Sequence, residues 1–227
     1  MRFPGKALAE IRGIPMIERV VRQCFQTSAD RVCVVTDDER IAFALRHTEA
    51  LVIMSPSEIA TGTDRVAFAA KDLADDIIIN VQGDEPFIPP LLIDKLIAQL
   101  SADGSIDMIT ACAKFEADEN ISDTSRVKVV FDNNGYALYF SRLPIPYCRD
   151  DGGLPVSRYR HIGIYGYRKD FLLKYAAASA SPLESAEMLE QLRALENGAR
   201  IKVVITEYKP VSVDTPDDLA IAEKYLN

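Results

Sequence analysis

The sequence predicts an α/β fold, a doubly wound and mostly parallel sheet that carries an excursion of antiparallel strands. Three observations predict it. Short β-branched runs alternate with amphipathic segments up to about residue 112, which is the pattern of successive βα units. A continuous apolar run at 77–79 precedes Asn-Val-Gln-Gly-Asp-Glu and is typical of a parallel strand buried on both faces. Further along, an Asn-Gly pair marks a β-hairpin.

Helices and strands alternate along the first part of the chain. Pro15 precedes apolar residues at helical spacing, a position that suits the first turn of a helix. Thr36-Asp37-Asp38 ends a strand and can cap the next helix. The predicted helices are 15–26, 41–45, 63–73 and 89–100, and the predicted strands are 31–36, 51–54, one from 77, and 107–112.

After residue 115 the pattern changes to antiparallel strands. Asn134-Gly135 predicts a hairpin between strands 127–131 and 136–140, and 158–168 alternates as another strand. We expect the excursion, about 120–175, to cover an active site or to pair subunits. The chain then predicts a helix at 183–196 stopped by Asn197-Gly198, a strand at 201–206 and a helix at 217–226. The core face of the helix at 183–196 should include Met188, Leu189, Leu192 and Leu195.

Length and composition indicate a single domain over residues 1–227. The chain is 48% hydrophobic and 26% charged, with a net charge of −8, which argues against nucleic-acid or anionic-membrane binding because both need a basic surface. No apolar run approaches the roughly 20 residues of a membrane span, and no signal-peptide core is visible at the N-terminus. Four scattered cysteines form no Cys-x-x-Cys pair and indicate reduced thiols. A cytoplasmic location is expected.

Three segments carry groups suited to a nucleotide. Gly83-Asp84-Glu85 follows the strand from 77, and ligands of α/β sheets lie beyond the carboxyl ends of strands. An acidic pair there suits a hydrated Mg²⁺ ion, although a solvated acidic turn is the simpler reading. The segments 2–6 and 60–65 offer cations, hydroxyls and a helix N-terminus, or else form a flexible terminus and an N-cap.

Other polar residues offer hydrogen bonds, a cation and a further carboxylate. Strand alternation places His161 and Tyr165 on one face, where they can hydrogen-bond a polyhydroxy ligand, although a single histidine is more often structural. Arg142 ends a strand with a cation suited to a carboxylate. Asp214 either caps the last helix or supplies a second metal ligand. Only two histidines are present, which argues against a zinc site.

Nine segments occur in a single order that matches a known family. They are Arg-Phe-Pro-Gly-Lys at 2–6, Thr-Asp-Asp-Glu-Arg at 36–40, Gly-Thr-Asp-Arg at 62–65, Asn-Val-Gln-Gly-Asp-Glu-Pro at 80–86, Val-Lys-Val-Val at 127–130, Tyr-Ala-Leu-Tyr-Phe-Ser-Arg at 136–142, Arg-His-Ile-Gly-Ile-Tyr-Gly-Tyr-Arg at 160–168, Leu-Glu-Gln-Leu-Arg at 189–193 and Val-Asp-Thr-Pro at 213–216. In these segments the chain resembles the 3-deoxy-manno-octulosonate cytidylyltransferases over essentially its whole length.

The resemblance implies a nucleotide-diphospho-sugar transferase-like fold and an activity. The enzyme would transfer CMP from CTP to 3-deoxy-D-manno-octulosonate, releasing pyrophosphate, for lipopolysaccharide biosynthesis. Asp84 and Asp214 would hold Mg²⁺ and, with Lys6, carry catalysis. The implied nucleotide-binding residues are Arg2, Lys6, Thr61, Gly62, Thr63 and Arg65. The implied sugar-binding residues are Gln82, Arg142, His161, Tyr165, Glu190 and Gln191. A homodimer is expected.

Two departures from the family and two alternatives accompany this interpretation. Members begin with a strand and an Ile-Pro-Ala-Arg…Ser-type loop, whereas this sequence starts at the tail of that loop; we expect a mis-set start codon or a truncation. Thr61 stands where the family usually has Ser, so the hydroxyl is retained. The alternatives are a cytidylyltransferase for another sugar acid, such as sialic acid or the 8-amino analogue, and an impaired fragment that only binds a ligand or partner.

Overall fold

The computed structural model describes residues 5–59, 61–149, 156–211, 213 and 216–225. The chain forms two compact units. The first comprises residues 1–75, 79–98 and 208–227, and the second comprises 76–78 and 99–207. Within the described ranges, we find no helix with the length and apolar character that a membrane span requires.

Within the described residues, ten strands and eight α-helices follow a short 3₁₀ helix at Lys6–Leu8. In order they are β1 (Glu10–Ile11), β2 (Ile14–Pro15), α1 (Met16–Cys24), β3 (Cys33–Thr36), α2 (Glu39–Leu45), β4 (Leu51–Met54), α3 (Gly62–Ala70), β5 (Ile77–Asn80), α4 (Pro90–Ala102), β6 (Met108–Lys114), β7 (Lys128–Phe131), β8 (Ala137–Ser141), β9 (Tyr159–Arg168), α5 (Lys169–Ala177), α6 (Pro182–Glu187), α7 (Gln191–Glu196), β10 (Ile201–Ile205) and α8 (Pro216–Tyr225).

The first unit contains a short hairpin and a parallel strand pair. Strands β1 and β2 pair antiparallel, and Arg12 and Gly13 between them have φ of 48° and 73°, the positive values that a two-residue hairpin turn favours. Strands β3 and β4 pair parallel. Buried Ile17 of α1 packs in one cluster with Val34 of β3 and Leu45 of α2, which fixes the helices against the strand pair.

The second unit contains a mixed sheet with the strand order β10-β6-β9-β7-β8, and β5 also pairs with β9. Strands β10 and β6 pair parallel, whereas β6 with β9, β9 with β7, and β7 with β8 pair antiparallel. The α/β prediction with an antiparallel excursion is confirmed, because β7, β8 and β9 all lie within 120–175. The predicted hairpin joins β7 to β8, with Gly135 at φ 77°.

Lys128, at the start of β7, is fully buried. Its Nζ donates hydrogen bonds of 2.7 Å to the main-chain oxygens of Asp123 and Arg142. Desolvation lowers the pKa of this lysine, and the two carbonyl acceptors offset the cost of burying its ammonium group. Lys128 therefore ties the loop before β7 to the end of β8.

The predicted single helix at 183–196 is wrong, because the chain forms two short helices there. A capping box between Ser181 and Glu184 begins α6. Met188 then adopts a left-handed conformation with φ 53° and ψ 50° and ends it. Its side chain is 76% exposed rather than part of the core face, because the left-handed turn reorients the chain before α7. Leu189 and Leu192 are buried as predicted.

Strand β5 also differs from its prediction. Its three isoleucines, at 77–79, are half-buried and only Asn80 is buried, so burial on both faces is wrong for this strand. The reason is that β-branched residues suit any partly covered strand, and an apolar run alone does not measure how much of it is covered.

Helix α5 was not predicted, although Leu172 and Tyr175 bury one side of it. The predicted stop at Gly198 is confirmed, with φ 79°.

Candidate functional site

A cation and a carboxylate meet at the carboxyl end of β5. The Nζ of Lys6 bonds the Oδ2 of Asp84, and both side chains are partly exposed. Asp84 lies in a turn in which the N–H of Glu85 donates to the oxygen of Gln82 over 3.2 Å. The arrangement presents a positive group for phosphates and an oxygen ligand for a hard cation side by side.

Glu85, the second member of the acidic pair, has a structural partner. It is buried, and the Tyr208 hydroxyl donates to its Oε2 over 2.9 Å. Burial, together with the Glu85 carboxylate, raises the pKa of Tyr208, so the phenol stays protonated as the donor. The two acids therefore do not act as a pair, and Asp84 is the one that contacts Lys6.

Helix α3 begins with an N-cap, which was one of the two interpretations of residues 60–65. Thr61 is its N-cap, and its Oγ1 accepts a 3.1 Å hydrogen bond from the N–H of Asp64. Gly62 follows, and a Cβ placed on it would lie 4.0 Å from the side-chain oxygen of Gln82. Thr63 is buried. The first unit thus brings Gln82 to the N-terminus of α3, where backbone N–H groups attract anions.

Arg65 of α3 is held by two residues, Ser55 and Asp37, that were not predicted as site residues. Its Nη1 donates to the Oγ of Ser55 over 2.6 Å, and its Nη2 donates to the Oδ2 of Asp37 over 2.9 Å. Ser55 follows β4, and Asp37 follows β3. A polar residue directly after each parallel strand was the signal that could have identified them.

In the second unit, His161 and Tyr165 lie on the same side of β9, as the alternation predicted. Both are partly buried, whereas Ile162 and Ile164 between them are fully buried. The His161 ring lies 5.4 Å from the Tyr165 ring and 5.1 Å from that of Phe140, centroid to centroid. Burial lowers the pKa of His161 to about 3, so this histidine is neutral at neutral pH.

Gln191, at the start of α7, joins this cluster. The Tyr165 hydroxyl donates to its Oε1 over 3.3 Å. Gln191 is only 3% exposed, and its buried Nε2 has no hydrogen-bond partner among the described residues. Gln191 faces inward because the break before α7 turns this residue away from solvent. The main-chain oxygen of neighbouring Glu190 accepts a 2.6 Å hydrogen bond from the Tyr175 hydroxyl.

Arg142 holds the break between α6 and α7. Its Nε donates to the main-chain oxygen of Glu187 over 2.7 Å, and its Nη2 to that of Met188 over 3.1 Å. Its Nη1 donates to the oxygen of Thr124 over 3.0 Å. These bonds give the guanidinium a structural role. Its contact with a sugar carboxylate stays a prediction.

Within each unit, contacts bring some of the predicted residues together. The first unit brings Lys6 to Asp84 and Gln82 to Gly62, and the second brings His161, Tyr165 and Gln191 together. Arg2 and Asp214 lie outside the described residues. Across the described ranges, no three His, Cys, Asp or Glu side chains are grouped as metal ligands.

Comparison with known proteins gives a consistent result. A profile described as cytidylyltransferase matches residues 1–201. A 3-deoxy-manno-octulosonate cytidylyltransferase of Trichlorobacter lovleyi is 46% identical, over 99% of this chain and 93% of that protein. The enzyme of the same name from Geobacter metallireducens is 48% identical, over 96% of this chain and 90% of its own length.

Solved structures agree with these sequence matches. A CMP:2-keto-3-deoxy-manno-octonic acid synthetase complexed with CTP superposes with a TM-score of 0.94 at 37% identity, covering 99% of this chain and 92% of that one. A 4-diphosphocytidyl-2C-methyl-D-erythritol synthase from Anaerococcus prevotii shares the fold, with a TM-score of 0.64 at 17% identity, covering 97% and 92%. The chain belongs to the 3-deoxy-manno-octulosonate cytidylyltransferase family.

Proposed function

We propose that this enzyme transfers CMP from CTP to 3-deoxy-D-manno-octulosonate and releases pyrophosphate, as a step in lipopolysaccharide biosynthesis. The observation that carries the proposal is the match of nearly the whole chain to several curated relatives of this one activity. The structural relative with bound CTP supports the identity of the nucleotide.

The nucleotide is assigned to the predicted nucleotide-binding residues of the first unit. Lys6 and Arg65, with Arg2, neutralise the phosphates, and Thr61, Gly62 and Thr63 supply the start of α3. The support is that Lys6 already contacts an anionic partner through a partly exposed ammonium. Backbone N–H groups at a helix start and flexible cations suit a triphosphate.

Mg²⁺ is assigned to Asp84 and Asp214. The partly exposed carboxylate of Asp84 fits this ion, because Mg²⁺ prefers oxygen ligands and commonly takes one or two carboxylates together with substrate phosphates. A site of that kind does not require a larger cluster of acids. The bound ion would neutralise negative charge on the phosphate oxygens.

The sugar acid is assigned to the second unit, to His161, Tyr165 and Gln191 together with Arg142 and Glu190. The sugar contact predicted for Gln82, a residue of the first unit, stays a prediction. The support is the Gln191 amide, whose buried Nε2 lacks a partner among the described residues. Buried polar groups are nearly always hydrogen-bonded, so an unpaired donor of this kind is suited to a ligand oxygen. Tyr165 and neutral His161 add further groups for sugar hydroxyls.

The reaction needs no side-chain nucleophile. The oxygen of the sugar's anomeric hydroxyl bonds to the α-phosphorus of CTP, and the bond from that phosphorus to the bridging oxygen breaks. Pyrophosphate leaves with the electron pair, and the hydroxyl proton passes to water. The protein contributes chiefly by holding the two substrates together and by neutralising charge.

Pyrophosphate release tests the proposal directly. The protein is incubated with CTP, Mg²⁺ and 3-deoxy-D-manno-octulosonate, and parallel reactions contain sialic acid or the 8-amino analogue. We expect release well above background that requires CTP, Mg²⁺ and the octulosonate. A clear preference for another sugar acid would reassign the substrate, and sugar binding without turnover would favour an impaired protein.

Two further expectations accompany the function. We propose a homodimer, supported by exposed apolar side chains on the antiparallel excursion: Leu138, Leu143, Tyr147 and Val156. Light scattering after size-exclusion chromatography gives the molar mass, and a monomer at micromolar concentration would contradict the proposed homodimer.

A cytoplasmic location also stays a prediction, supported by four free cysteines. Fractionation of cells that express the protein tests it.

A further inference from the structure

Thr110 lies fully buried in β6, where its hydroxyl meets three hydrogen-bonding atoms of β9. Its Oγ1 is 2.8 Å from the main-chain oxygen of Ile164 and 3.3 Å from that of Ile162. It is also 2.9 Å from the Nε2 of His161. The hydroxyl thus joins the backbone of β9 to a side chain of the proposed sugar site.

The strand ladder is irregular at this point. Thr110 lies opposite Tyr165, but the next residue of β6, Ala111, lies opposite Ile162. Between these two pairs, β9 contains two more residues than a regular ladder would have. The Thr110 hydroxyl bonds to the main chain of this irregular stretch. Thr110 therefore contacts β9 where His161 and Tyr165 are brought onto one side.

The number of hydrogens at Thr110 determines which atom donates. A threonine hydroxyl has one hydrogen, and carbonyl oxygens only accept. That hydrogen must go to the carbonyl side, because otherwise the Thr110 and Ile164 oxygens would lie 2.8 Å apart with no hydrogen between them. The contact with His161 is then a bond in which Nε2 donates, so Nε2 carries a hydrogen.

The protonation state of the other ring nitrogen, Nδ1, follows from the charge of the ring. Burial lowers the pKa of His161 to about 3, and the rings that face it are those of Phe140 and Tyr165. A neutral imidazole carries one hydrogen, so Nδ1 is an acceptor when Nε2 is the donor. No described residue donates a hydrogen bond to Nδ1.

We infer that Thr110 is a positioning residue, which holds His161 in the Nε2–H tautomer and so presents its Nδ1 as an acceptor for a hydroxyl group of the sugar acid. The ligand in this inference rests on the proposed function, whereas the tautomer does not. The Gln191 amide, whose Nε2 has no partner in the described part of the chain, supplies a donor in the same cluster. Donor and acceptor together match a polyhydroxy ligand, in which each hydroxyl both donates and accepts.

Nitrogen NMR on the whole protein labelled with ¹⁵N-histidine measures the tautomer. The chain has only two histidines, and a His47→Asn variant assigns the spectrum, since His47 contacts Glu18 in the other unit. We expect His161 at neutral pH to show a protonated Nε2 and an unprotonated Nδ1. An Nδ1–H tautomer or an imidazolium would overturn the inference without any variant.

Substitution at Thr110 distinguishes a role in positioning His161 from a purely structural role. Thr110→Val keeps the shape and removes the hydroxyl; we expect a mixture of tautomers and a KM for the sugar acid raised about tenfold, with the KM for CTP within about twofold. Thr110→Ser restores the hydroxyl and should restore both readouts. Thr48→Val is the matched control, because Thr48 also donates to a main-chain oxygen, that of Leu45 at 2.7 Å. It should leave both readouts unchanged.

Adding 3-deoxy-D-manno-octulosonate to the labelled protein tests the ligand. We expect the Nδ1 resonance of His161 to shift toward that of a hydrogen-bonded acceptor, while Nε2 stays protonated. An unmoved resonance at saturating sugar would overturn the contact with the ligand. If the protein released no pyrophosphate but retained the Nε2–H tautomer, the proposed function would fail and the role of Thr110 in fixing the tautomer would stand.

Discussion

Arg193 and Glu184 form a buried ion pair with two hydrogen bonds, Nε to Oε2 at 2.7 Å and Nη2 to Oε1 at 2.5 Å. Their side chains are 9% and 11% exposed. Arg193 also donates to the main-chain oxygen of Ala178 over 3.1 Å. Because Glu184 belongs to α6 and Arg193 to α7, the pair joins the two helices across the break at Met188.

Breaking this pair should destabilise the protein. Glu184→Gln keeps the size of the side chain but leaves the Arg193 charge buried without its carboxylate, so we expect the free energy of unfolding to fall by about 3 kcal/mol. Urea denaturation followed by circular dichroism measures the change. Glu223→Gln, at an exposed position of α8, is the control and should change it by less than about 0.5 kcal/mol. An equally small change for Glu184→Gln would contradict the prediction.

The same pair predicts a pH dependence of stability. The hydrogen bonds from Arg193 lower the pKa of Glu184 from its ordinary value of 4.5. A lowered pKa stabilises the folded state above the unfolded-state pKa, and that stabilisation is lost as pH falls through the folded-state value. The difference in unfolding free energy between wild type and Glu184→Gln should therefore stay constant above pH 4.5 and shrink below it. Urea titrations at several pH values test this, and a difference that grew on acidification would have the wrong sign.

Asp84 should be required for turnover and not for folding. Asp84→Asn removes the charge proposed to hold Mg²⁺, so we expect kcat to fall at least about 100-fold. The urea midpoint should hardly move, because the bond with Lys6 is partly exposed. Asp72→Asn, an exposed carboxylate after α3, is the control. Near-normal turnover of Asp84→Asn would remove this residue from the metal site.

Arg65 should affect CTP more than the sugar. Arg65→Ala removes a guanidinium positioned by Ser55 and Asp37, and we expect the KM for CTP to rise about tenfold because one charge-assisted contact is lost. Steady-state kinetics with each substrate varied in turn measure this. Arg40→Ala removes another arginine that pairs with an aspartate, Asp38, and should leave both KM values unchanged. An effect confined to the sugar would place Arg65 elsewhere.

Gln191 should matter for the sugar and little for stability. Its Nε2 has no partner among the described residues, so Gln191→Leu sacrifices only the bond with Tyr165, and we expect the free energy of unfolding to change by about 1 kcal/mol or less. The KM for the sugar acid should rise at least about tenfold. Gln99→Leu is the matched control, because Gln99 also has a buried amide atom without a described partner. An unchanged sugar KM for Gln191→Leu would exclude the proposed contact.

Local signals in the sequence predicted much of the fold. Strand β4 matches its predicted bounds, and the Asn134-Gly135 hairpin and the stop at Gly198 follow from backbone conformations that glycine favours. The Thr61 cap of α3 depends only on neighbouring residues, so it is also a feature that the sequence can predict. Features of this kind depend on a few consecutive residues, and the sequence contains them directly.

Features that depend on distant residues could not be predicted in the same way. The break at Met188 is held by Arg142, 46 residues earlier in the chain, so a continuous apolar stripe gave no sign of it. The inward position of Gln191 follows from that break. Thr110 had one signal, a hydroxyl between apolar neighbours in its strand, but its partners on β9 lie more than 50 residues away.

The buried ammonium of Lys128 makes this residue an internal probe of local opening. Amine-reactive reagents attack the unprotonated, solvent-accessible form of lysine, and Lys128 is closed to solvent while its two carbonyl partners hold it. Its labelling rate, followed by mass spectrometry of the peptide, therefore reports how often the start of β7 separates from the loop at Asp123. Exposed lysines such as Lys71 react throughout and provide the reference within the same molecule.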